Sequence, residues 1–253
     1  MSKDQIEILG VKINTMSFDE SKNFIIKRIL EENKTFVTTP NPEIVLETLK
    51  DNNYKEILNK STLNIPDGNG LKYMSKYLFF RKKIDKKIKE AVHGSDMMMA
   101  LCTDKRLNGK KIFLLGASDE VAIKTKKTLE KINPNINIVG TFSGKADEED
   151  DKISREKINY SNAEIVFVAF GAPKQEKWIA RNKDHLEKVL LFIGIGGTFD
   201  FISGHKKRAP KLIRKLNLEW LYRVIIEPRR IKRILKAVLI FPIIVLKKDL
   251  FSK

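Results

Sequence analysis

The sequence Val166-Phe167-Val168-Ala169-Phe170 is continuously apolar and stops at Gly171-Ala172-Pro173-Lys174, where a helical pattern begins. A short apolar run bounded by Gly and Pro indicates a strand that is covered on both faces. Such strands are typical of parallel sheets, whose strands are joined by helical crossovers. The stretch therefore predicts one strand-and-helix unit of an α/β fold, with the helix over 174–183.

Similar apolar runs and helical patterns alternate along the chain up to Gly204. Strands are expected at 6–13, 35–39, 62–65, 111–115, 137–139, 165–169 and 190–195, and helices at 43–58, 119–132, 148–160 and 174–183. This alternation predicts a Rossmann-like, mainly parallel sheet that helices cover on both faces. Ligands of such sheets bind at the carboxyl ends of the strands, so polar residues at those ends are the candidate site residues.

Composition limits the class of protein. The chain has 253 residues, of which 42% are hydrophobic, enough for a large core. Its single cysteine, Cys102, excludes an intrachain disulfide framework, and the amino end has no signal-peptide pattern. The longest apolar run, 237–246, contains Pro242 and is too short to span a bilayer. A cytoplasmic protein is expected.

The positive charge is concentrated at the carboxyl end. From Lys206 onward there are fifteen Lys or Arg against three Asp or Glu, a formal +12 of the chain's +17. Strand patterns stop after Gly204, and basic helical patterns follow at 212–226 and 229–246. We therefore expect an α/β domain over 1–204 and a basic helical appendage over 205–253. An amphipathic basic helix suits an anionic membrane surface, although nucleic acid or a diphosphate would also attract it.

Two polar motifs follow predicted strands in the first third of the chain. In Thr39-Pro40-Asn41-Pro42-Glu43, Asn41 has the features of a helix N-cap before a proline, while Thr39 and Asn41 could also contact a ligand. In Pro66-Asp67-Gly68-Asn69-Gly70, Asp67 is either a turn residue or a carboxylate placed to act as a general base.

Two further motifs follow strands in the second half. Gln175 lies in the first turn of the helix after Pro173 and is expected to face the ligand crevice. The segment Gly194-Ile195-Gly196-Gly197-Thr198-Phe199-Asp200 allows close approach of the backbone to a ligand. Neither glycine-rich stretch matches a phosphate-binding P-loop, and Leu115-Gly116-Ala117-Ser118 lacks the full dinucleotide fingerprint, so no cofactor is expected. The three histidines are far apart and the acidic run 147–151 suits a helix start, so no metal site is expected either.

Taken together, the order and spacing of these motifs resemble the WecG/TagA/CpsF family, glycosyltransferase family 26, over nearly the whole chain. The segments that carry the resemblance are Thr39-Pro40-Asn41-Pro42-Glu43, Pro66-Asp67-Gly68-Asn69-Gly70, Phe113-Leu114-Leu115-Gly116-Ala117, Gly171-Ala172-Pro173-Lys174-Gln175-Glu176-Lys177-Trp178, Gly194-Ile195-Gly196-Gly197-Thr198-Phe199-Asp200, Arg208-Ala209-Pro210, Leu218-Glu219-Trp220-Leu221-Tyr222-Arg223 and Glu227-Pro228-Arg229-Arg230.

The resemblance implies an inverting, metal-independent transferase at the inner face of the cell membrane. Its substrates would be a UDP-sugar, UDP-N-acetylmannosamine in the best-known members, and undecaprenyl-diphosphate-linked N-acetylglucosamine, in the synthesis of wall teichoic acid or a related surface polymer. Position by position, the resemblance implies Asp67 as general base and a closing appendage that contributes three arginines. The residues carried over are Thr39, Asn41, Gln175, Asp200, Gly196 and Gly197 for substrate binding, and Arg223, Arg230 and Arg233 for the appendage.

The chain departs from the family pattern at Ala91, where many members have arginine. This leaves the donor sugar open, with Lys89 and His93 as candidates to supply the missing charge. Two rival interpretations also remain: a basic nucleic-acid-binding protein, which would leave Asp67 and Gln175 unexplained, and a soluble sugar-nucleotide enzyme, which would not need the apolar run 237–246. A homo-oligomer is compatible with all three.

Overall fold

The computed structural model describes residues 4–210, 212–213, 219–228 and 231–251. Its centre is a six-stranded sheet in the order β4-β3-β8-β7-β5-β6, with every neighbouring pair parallel. A separate antiparallel hairpin, β1 (Gln5–Ile8) with β2 (Val11–Asn14), precedes it. The sheet strands are β3 (Thr35–Thr38), β4 (Leu63–Asn64), β5 (Lys111–Gly116), β6 (Asn137–Phe142), β7 (Ile165–Ala169) and β8 (Leu191–Gly194).

Helices connect the strands and continue beyond the last one. They are α1 (Phe18–Leu30), α2 (Pro42–Glu47), α3 (Asn52–Asn59), α4 (Asn69–Phe80), α5 (Gly94–Thr103), α6 (Asp119–Ile132), α7 (Glu148–Ser161), α8 (Lys174–Asn182), α9 (Thr198–Ile202), α10 (Glu219–Ile226), α11 (Ile231–Leu235), a π-helical segment (Lys236–Ile240) and α12 (Phe241–Phe251).

Strand β7 shows why both faces of the sheet are covered. Ile165 and Phe167 lie in a core cluster with side chains of α1, α5 and α6, whereas Val166 and Val168 lie in another with Trp178 of α8 and side chains of α7. Successive side chains of a strand point to opposite faces, so a strand between two helical layers must be apolar throughout. The predicted α/β fold with helices on both faces is confirmed.

Helix boundaries follow from caps that the sequence already showed. The Asn41 side chain accepts a hydrogen bond from the Ile44 backbone N–H (2.9 Å), with Pro42 at the first position of α2. Asp147 caps α7 in the same way, and the acidic residues that follow lie in its first turn. These side chains satisfy backbone donors that a helix leaves unpaired at its start. The acidic run therefore has a structural explanation, as expected.

Two predicted elements are divided in the structure. The stretch 6–13 is a hairpin, because the chain reverses at Leu9 and Gly10, which both have positive φ (53° and 86°). The stretch 43–58 forms two helices, α2 and α3, and Asp51 caps the second by accepting from the Tyr54 N–H. In both places the spacing of apolar residues continues through a turn or a helix cap, so the pattern alone does not show the division.

The last helix, α12, packs against the main body. Phe241 and Val245 are buried in a core cluster with side chains of the β1-β2 hairpin, α2, α3 and α4. Asp249 accepts hydrogen bonds from the Tyr77 hydroxyl (2.8 Å) and Arg81 Nε (3.1 Å) on and just after α4. These contacts hold the pKa of Asp249 below its ordinary value, with the Tyr77 hydrogen bond as the largest cause. These contacts fix α12 beside α4.

Candidate active site

A cavity of about 830 Å³ opens at the carboxyl ends of the sheet strands. It lies where parallel sheets bind ligands. Most of the site residues predicted from the sequence line it together: Thr39, Asn41, Asp67, Gln175, Gly196, Gly197, Asp200 and Arg233. The structure thus brings residues from distant parts of the chain to one cleft.

Thr39 and Asn41 form the wall after β3. Thr39 is buried, and its hydroxyl donates to the Gly194 carbonyl (3.1 Å), which ties the end of β3 to the end of β8. Asn41 uses its side-chain oxygen to cap α2, so the amide nitrogen is the group that it can offer to a ligand. Both the capping role and a binding role are therefore compatible with the position of Asn41.

Gln175 fixes two loops of the cavity. Its Oε1 accepts hydrogen bonds from the backbone N–H groups of Gly171 (3.2 Å) and Gly196 (2.9 Å). The side chain packs so closely on Gly194 that a Cβ there would lie 2.8 Å from Gln175 Nε2. Only glycine fits at position 194 without displacing Gln175. As predicted, Gln175 borders the cavity, but it is buried and its oxygen is already used to shape the glycine-rich loop.

Glu176 orients Gln175 and was not identified from the sequence. It is fully buried, and its carboxylate accepts from Gln175 Nε2 (2.7 Å) and from the Tyr54 hydroxyl (3.2 Å). Burial raises the pKa of Glu176 above its ordinary value, while the two hydrogen bonds act against that shift. Because the carboxylate accepts from Nε2, the amide oxygen of Gln175 must face the glycines.

The glycine-rich loop after β8 leads into α9. Gly196 has a positive φ (53°), and a Cβ built there would meet no atom within 4 Å, so the backbone is open to the cavity. Asp200 accepts from Lys206 Nζ (2.8 Å), a contact between α9 and the first residues of the basic region. Asp200 is thus an ion-paired carboxylate on the cavity wall.

Asp67 lies in the loop between β4 and α4 and pairs with His93, just before α5. Asp67 Oδ1 is 3.0 Å from His93 Nδ1, and both side chains are about one-third exposed. The Asp67 backbone N–H donates to the Pro40 carbonyl, and the Val92 N–H donates to the Pro66 carbonyl, which fixes the loop. The hydrogen bond with Asp67 is the largest cause that raises the pKa of His93 above its ordinary 6.5, and burial opposes it.

A second cavity, of about 530 Å³, adjoins the first. Its apolar walls come from α4, α10, α11, the π-helical segment and α12. The residues are Tyr73, Met74, Trp220, Ile234, Ala237, Val238 and Pro242. Of the residues that the structure describes, five line both cavities, namely Asn41, Glu43, Asp67, His93 and Arg233. The candidate base is therefore reached from a polar cleft on one side and an apolar groove on the other.

The three arginines of the appendage can be placed only in part. Arg233, on α11, donates to both carboxylate oxygens of Glu43 (2.7 and 3.0 Å) and lines both cavities. Arg223 belongs to α10, but its side chain lies outside the described part of the structure, and Arg230 lies outside the described residues altogether. Arg233 is thus one of these arginines that lies beside both cavities.

The two candidates to replace the arginine missing at position 91 lie in different places. Lys89 donates to both carboxylate oxygens of Glu20 (2.7 and 2.8 Å) and does not line either cavity. His93 lines both. Of the two, only His93 is placed to act on a ligand there.

Among the described residues, no three His, Cys, Asp or Glu side chains come together as metal ligands. In the same part of the chain, no helix combines the length and apolar character needed to cross a bilayer.

Comparison with known proteins identifies the family of this chain. The profile of the glycosyl transferase WecG/TagA/CpsF family matches residues 6–253. The chain belongs to this family. Apart from Gln5 of β1, the match takes in every strand and helix described above, including the strands that end at the cleft and the helices after β8.

Individual relatives in the family are similar over most of their length. Proteins of Staphylococcus aureus strains NCTC 8325 / PS 47 and COL are each 32% identical over 241 residues, which is 94% of this chain and 90% of theirs. The protein of strain MW2 is 31% identical over the same length. All three are named N-acetylglucosaminyldiphosphoundecaprenol N-acetyl-beta-D-mannosaminyltransferase.

Proposed function

We propose that this protein transfers N-acetylmannosamine, or a closely related sugar, from a UDP-sugar to undecaprenyl-diphosphate-linked N-acetylglucosamine. The product would serve in wall teichoic acid linkage-unit or related surface-polysaccharide synthesis. The observation that carries the proposal is the position of Asp67 at the junction of a polar cleft and an apolar groove. The names of the relatives supply the identity of the sugars.

The polar cleft is proposed as the donor site. The backbone approaches the cavity at Gly196 and Gly197. Because the Gly196 N–H already donates to Gln175, the Gly197 N–H is the group proposed to donate to a nucleotide diphosphate. Thr39, Asn41, Gln175 and Asp200 are proposed to shape this site and contact the nucleotide sugar. No cofactor takes part in this proposal.

Asp67 is proposed as the general base of a single displacement. The acceptor hydroxyl would lose its proton to the Asp67 carboxylate while its oxygen forms a bond to the anomeric carbon of the donor. The bond from that carbon to the diphosphate breaks, and its electron pair leaves on UDP. Attack from the face opposite the leaving group inverts the anomeric centre.

Cations of the appendage are proposed to stabilise the departing diphosphate. Charge develops on the leaving phosphate in the transition state, and a guanidinium can stabilise it without a metal ion. Arg233 lines both cavities and pairs with Glu43, which supports this role. Arg223 and Arg230 are proposed to act with it.

The apolar groove and the appendage are proposed to bring the lipid to Asp67. Around the groove, exposed apolar side chains of α11, the π-helical segment and α12 include Leu235, Leu239 and Ile243, with Lys232 and Lys236 beside them. Such a surface suits the headgroup region of an anionic membrane, where each basic residue contributes about 1 kcal/mol to binding.

We therefore propose a cytoplasmic protein that is peripheral to the inner face of the cell membrane, with its catalytic domain over 1–204 and its closing, membrane-binding appendage over 205–253. The appendage serves lipid and diphosphate, not nucleic acid.

A donor panel tests the proposal. Purified full-length protein is incubated with each of several UDP-sugars and a short-chain polyprenyl-diphosphate-linked N-acetylglucosamine. The mass of the lipid product is measured by mass spectrometry. We expect the acceptor to gain one N-acetylhexosamine from UDP-N-acetylmannosamine, with unchanged turnover in excess EDTA. Release of UDP without a glycosylated lipid, or a rate lost in EDTA and restored by magnesium, would contradict the proposed acceptor or the proposed metal independence respectively.

A further inference from the structure

The contact between Asp67 and His93 extends to the appendage. His93 Nε2 lies 3.9 Å from Glu219 Oε2, at the start of α10, while Nδ1 lies 3.0 Å from Asp67 Oδ1. The imidazole thus stands between a carboxylate of the α/β domain and a carboxylate of the appendage. Both nitrogens of a histidine donate only when the ring is protonated.

The surroundings of His93 favour that protonated form. The carboxylates that act on it are Asp67, Glu219 and Asp96, and the cation Arg208 interacts with the same three. Arg233, paired with Glu43, lines both cavities with His93. Arg208 donates to both oxygens of Asp96 (2.6 and 2.7 Å), so that this carboxylate is already paired. All three carboxylates raise the pKa of His93, and Asp67 has the largest effect.

The backbone holds His93 in this place. Its carbonyl accepts from the N–H groups of Asp96 (3.0 Å) and Met97 (3.1 Å) in the first turn of α5, and Val92 beside it is buried. With Nδ1 bonded to Oδ1, the second oxygen of Asp67 remains to take a proton from a substrate hydroxyl. No hydrogen bond to that second oxygen is found in the described part of the chain.

We propose that His93 is a positioning residue that holds the Asp67 carboxylate in place and, when protonated, links it to Glu219 of the appendage. The inference rests on the proposed role of Asp67 as general base. The His93 side chain then contributes both to the packing of α10 against the α/β domain and to the orientation of the Asp67 carboxylate. The positive charge also offsets the repulsion between the carboxylates and an incoming diphosphate.

Replacement by asparagine separates the two parts of the proposal. The side-chain nitrogen of His93→Asn can stand where Nδ1 stands and donate to Asp67, but it cannot become charged. His93→Ala removes both the donor and the charge. Glu219→Gln keeps the appendage side chain nearly unchanged in shape and removes one group that raises the pKa of His93.

The test is the pH dependence of kcat with a saturating donor and a short, water-soluble lipid-diphosphate acceptor. The pKa of His93 is raised, so its protonated form is lost as the pH rises through a value above 6.5. The kcat of the wild type should therefore fall in one step, by up to about fivefold, as His93 loses its proton. That factor corresponds to the free energy of one partly exposed ion pair. His93→Asn should lack the step and match the high-pH rate of wild type, and Glu219→Gln should move the step to lower pH.

His93→Ala should be slower again, by about 10-fold to 100-fold, because a base that is misplaced by an ångström loses rate on that scale. UDP binding and thermal unfolding, measured on each variant, show whether the fold and the donor site are intact. If the kcat of His93→Asn still fell with rising pH as that of the wild type does, or if His93→Ala had a rate near that of the wild type, the inference would be overturned. Asp67→Asn, assayed beside them, separates the two proposals: if it too is fully active, the general base has been wrongly assigned; if it alone is inactive, only the role of His93 fails.

Discussion

Truncation of Phe241 to alanine tests whether the carboxyl end of the chain is part of the folded core. Phe241 is completely buried with Val245 among side chains of the hairpin and of α4. Removing a buried phenylalanine side chain typically lowers the free energy of unfolding by about 3–5 kcal/mol, because the cavity that it leaves collapses only in part. For a chain of this size each kcal/mol changes Tm by about 2–4 °C. We therefore expect Tm to fall by about 6–20 °C.

Ile243 provides the matched control two residues further along α12. Its side chain is half exposed, and surface replacements usually change stability by less than about 0.5 kcal/mol, or about 2 °C in Tm. Both variants are measured by calorimetry and circular dichroism, with turnover and vesicle sedimentation beside them. Ile243→Ala should keep Tm and weaken vesicle binding. Equal, small changes in Tm for both variants would show that α12 does not pack on the hairpin and α4, and would refute the account of the appendage.

Three further predictions concern the site and the appendage. Arg233→Ala should lower kcat by about 10-fold or more on a water-soluble acceptor, since it removes a cation that faces the leaving diphosphate, whereas Glu43→Gln should lower it less. Gln175→Ala should weaken UDP binding by about 10-fold in calorimetric titration, because the loss of two hydrogen bonds loosens the loop at Gly196. Asp249→Asn should lower Tm at neutral pH. Because the folded-state pKa of Asp249 lies below its ordinary 3.8, that difference should shrink as the pH falls below 3.8.

Elements with strong local signals were predictable from the sequence. The helix over 119–132 matches α6 at both ends, because Ser118 caps its start and the apolar spacing continues to Ile132. The strand over 165–169 matches β7, because a short, β-branched apolar run followed by Gly171 and Pro173 favours a buried strand over a helix. Local chemistry decides such elements.

The features of the site that could not be predicted from the sequence depend on contacts between distant parts of the chain. Nothing in the local pattern pairs Asp67 with His93, which lie 26 positions apart and meet only when the loop after β4 packs against the start of α5. The local pattern of the motif 171–178 also does not show that folding buries Glu176 completely between Gln175 and Tyr54. A buried carboxylate of this kind is stabilised by hydrogen bonds that only the folded chain supplies.

The rate of sugar transfer by Asp67→Asn tests the central claim most directly. Asparagine preserves the shape of the side chain and can still hydrogen-bond His93, but it cannot accept the proton of the acceptor hydroxyl. With UDP-N-acetylmannosamine and the lipid-linked N-acetylglucosamine acceptor, we expect single-turnover transfer to fall by about 100-fold to 10,000-fold while UDP binding stays within about threefold of wild type. Transfer by Asp67→Asn within a few-fold of wild type would contradict the claim and leave Asp67 as a turn residue.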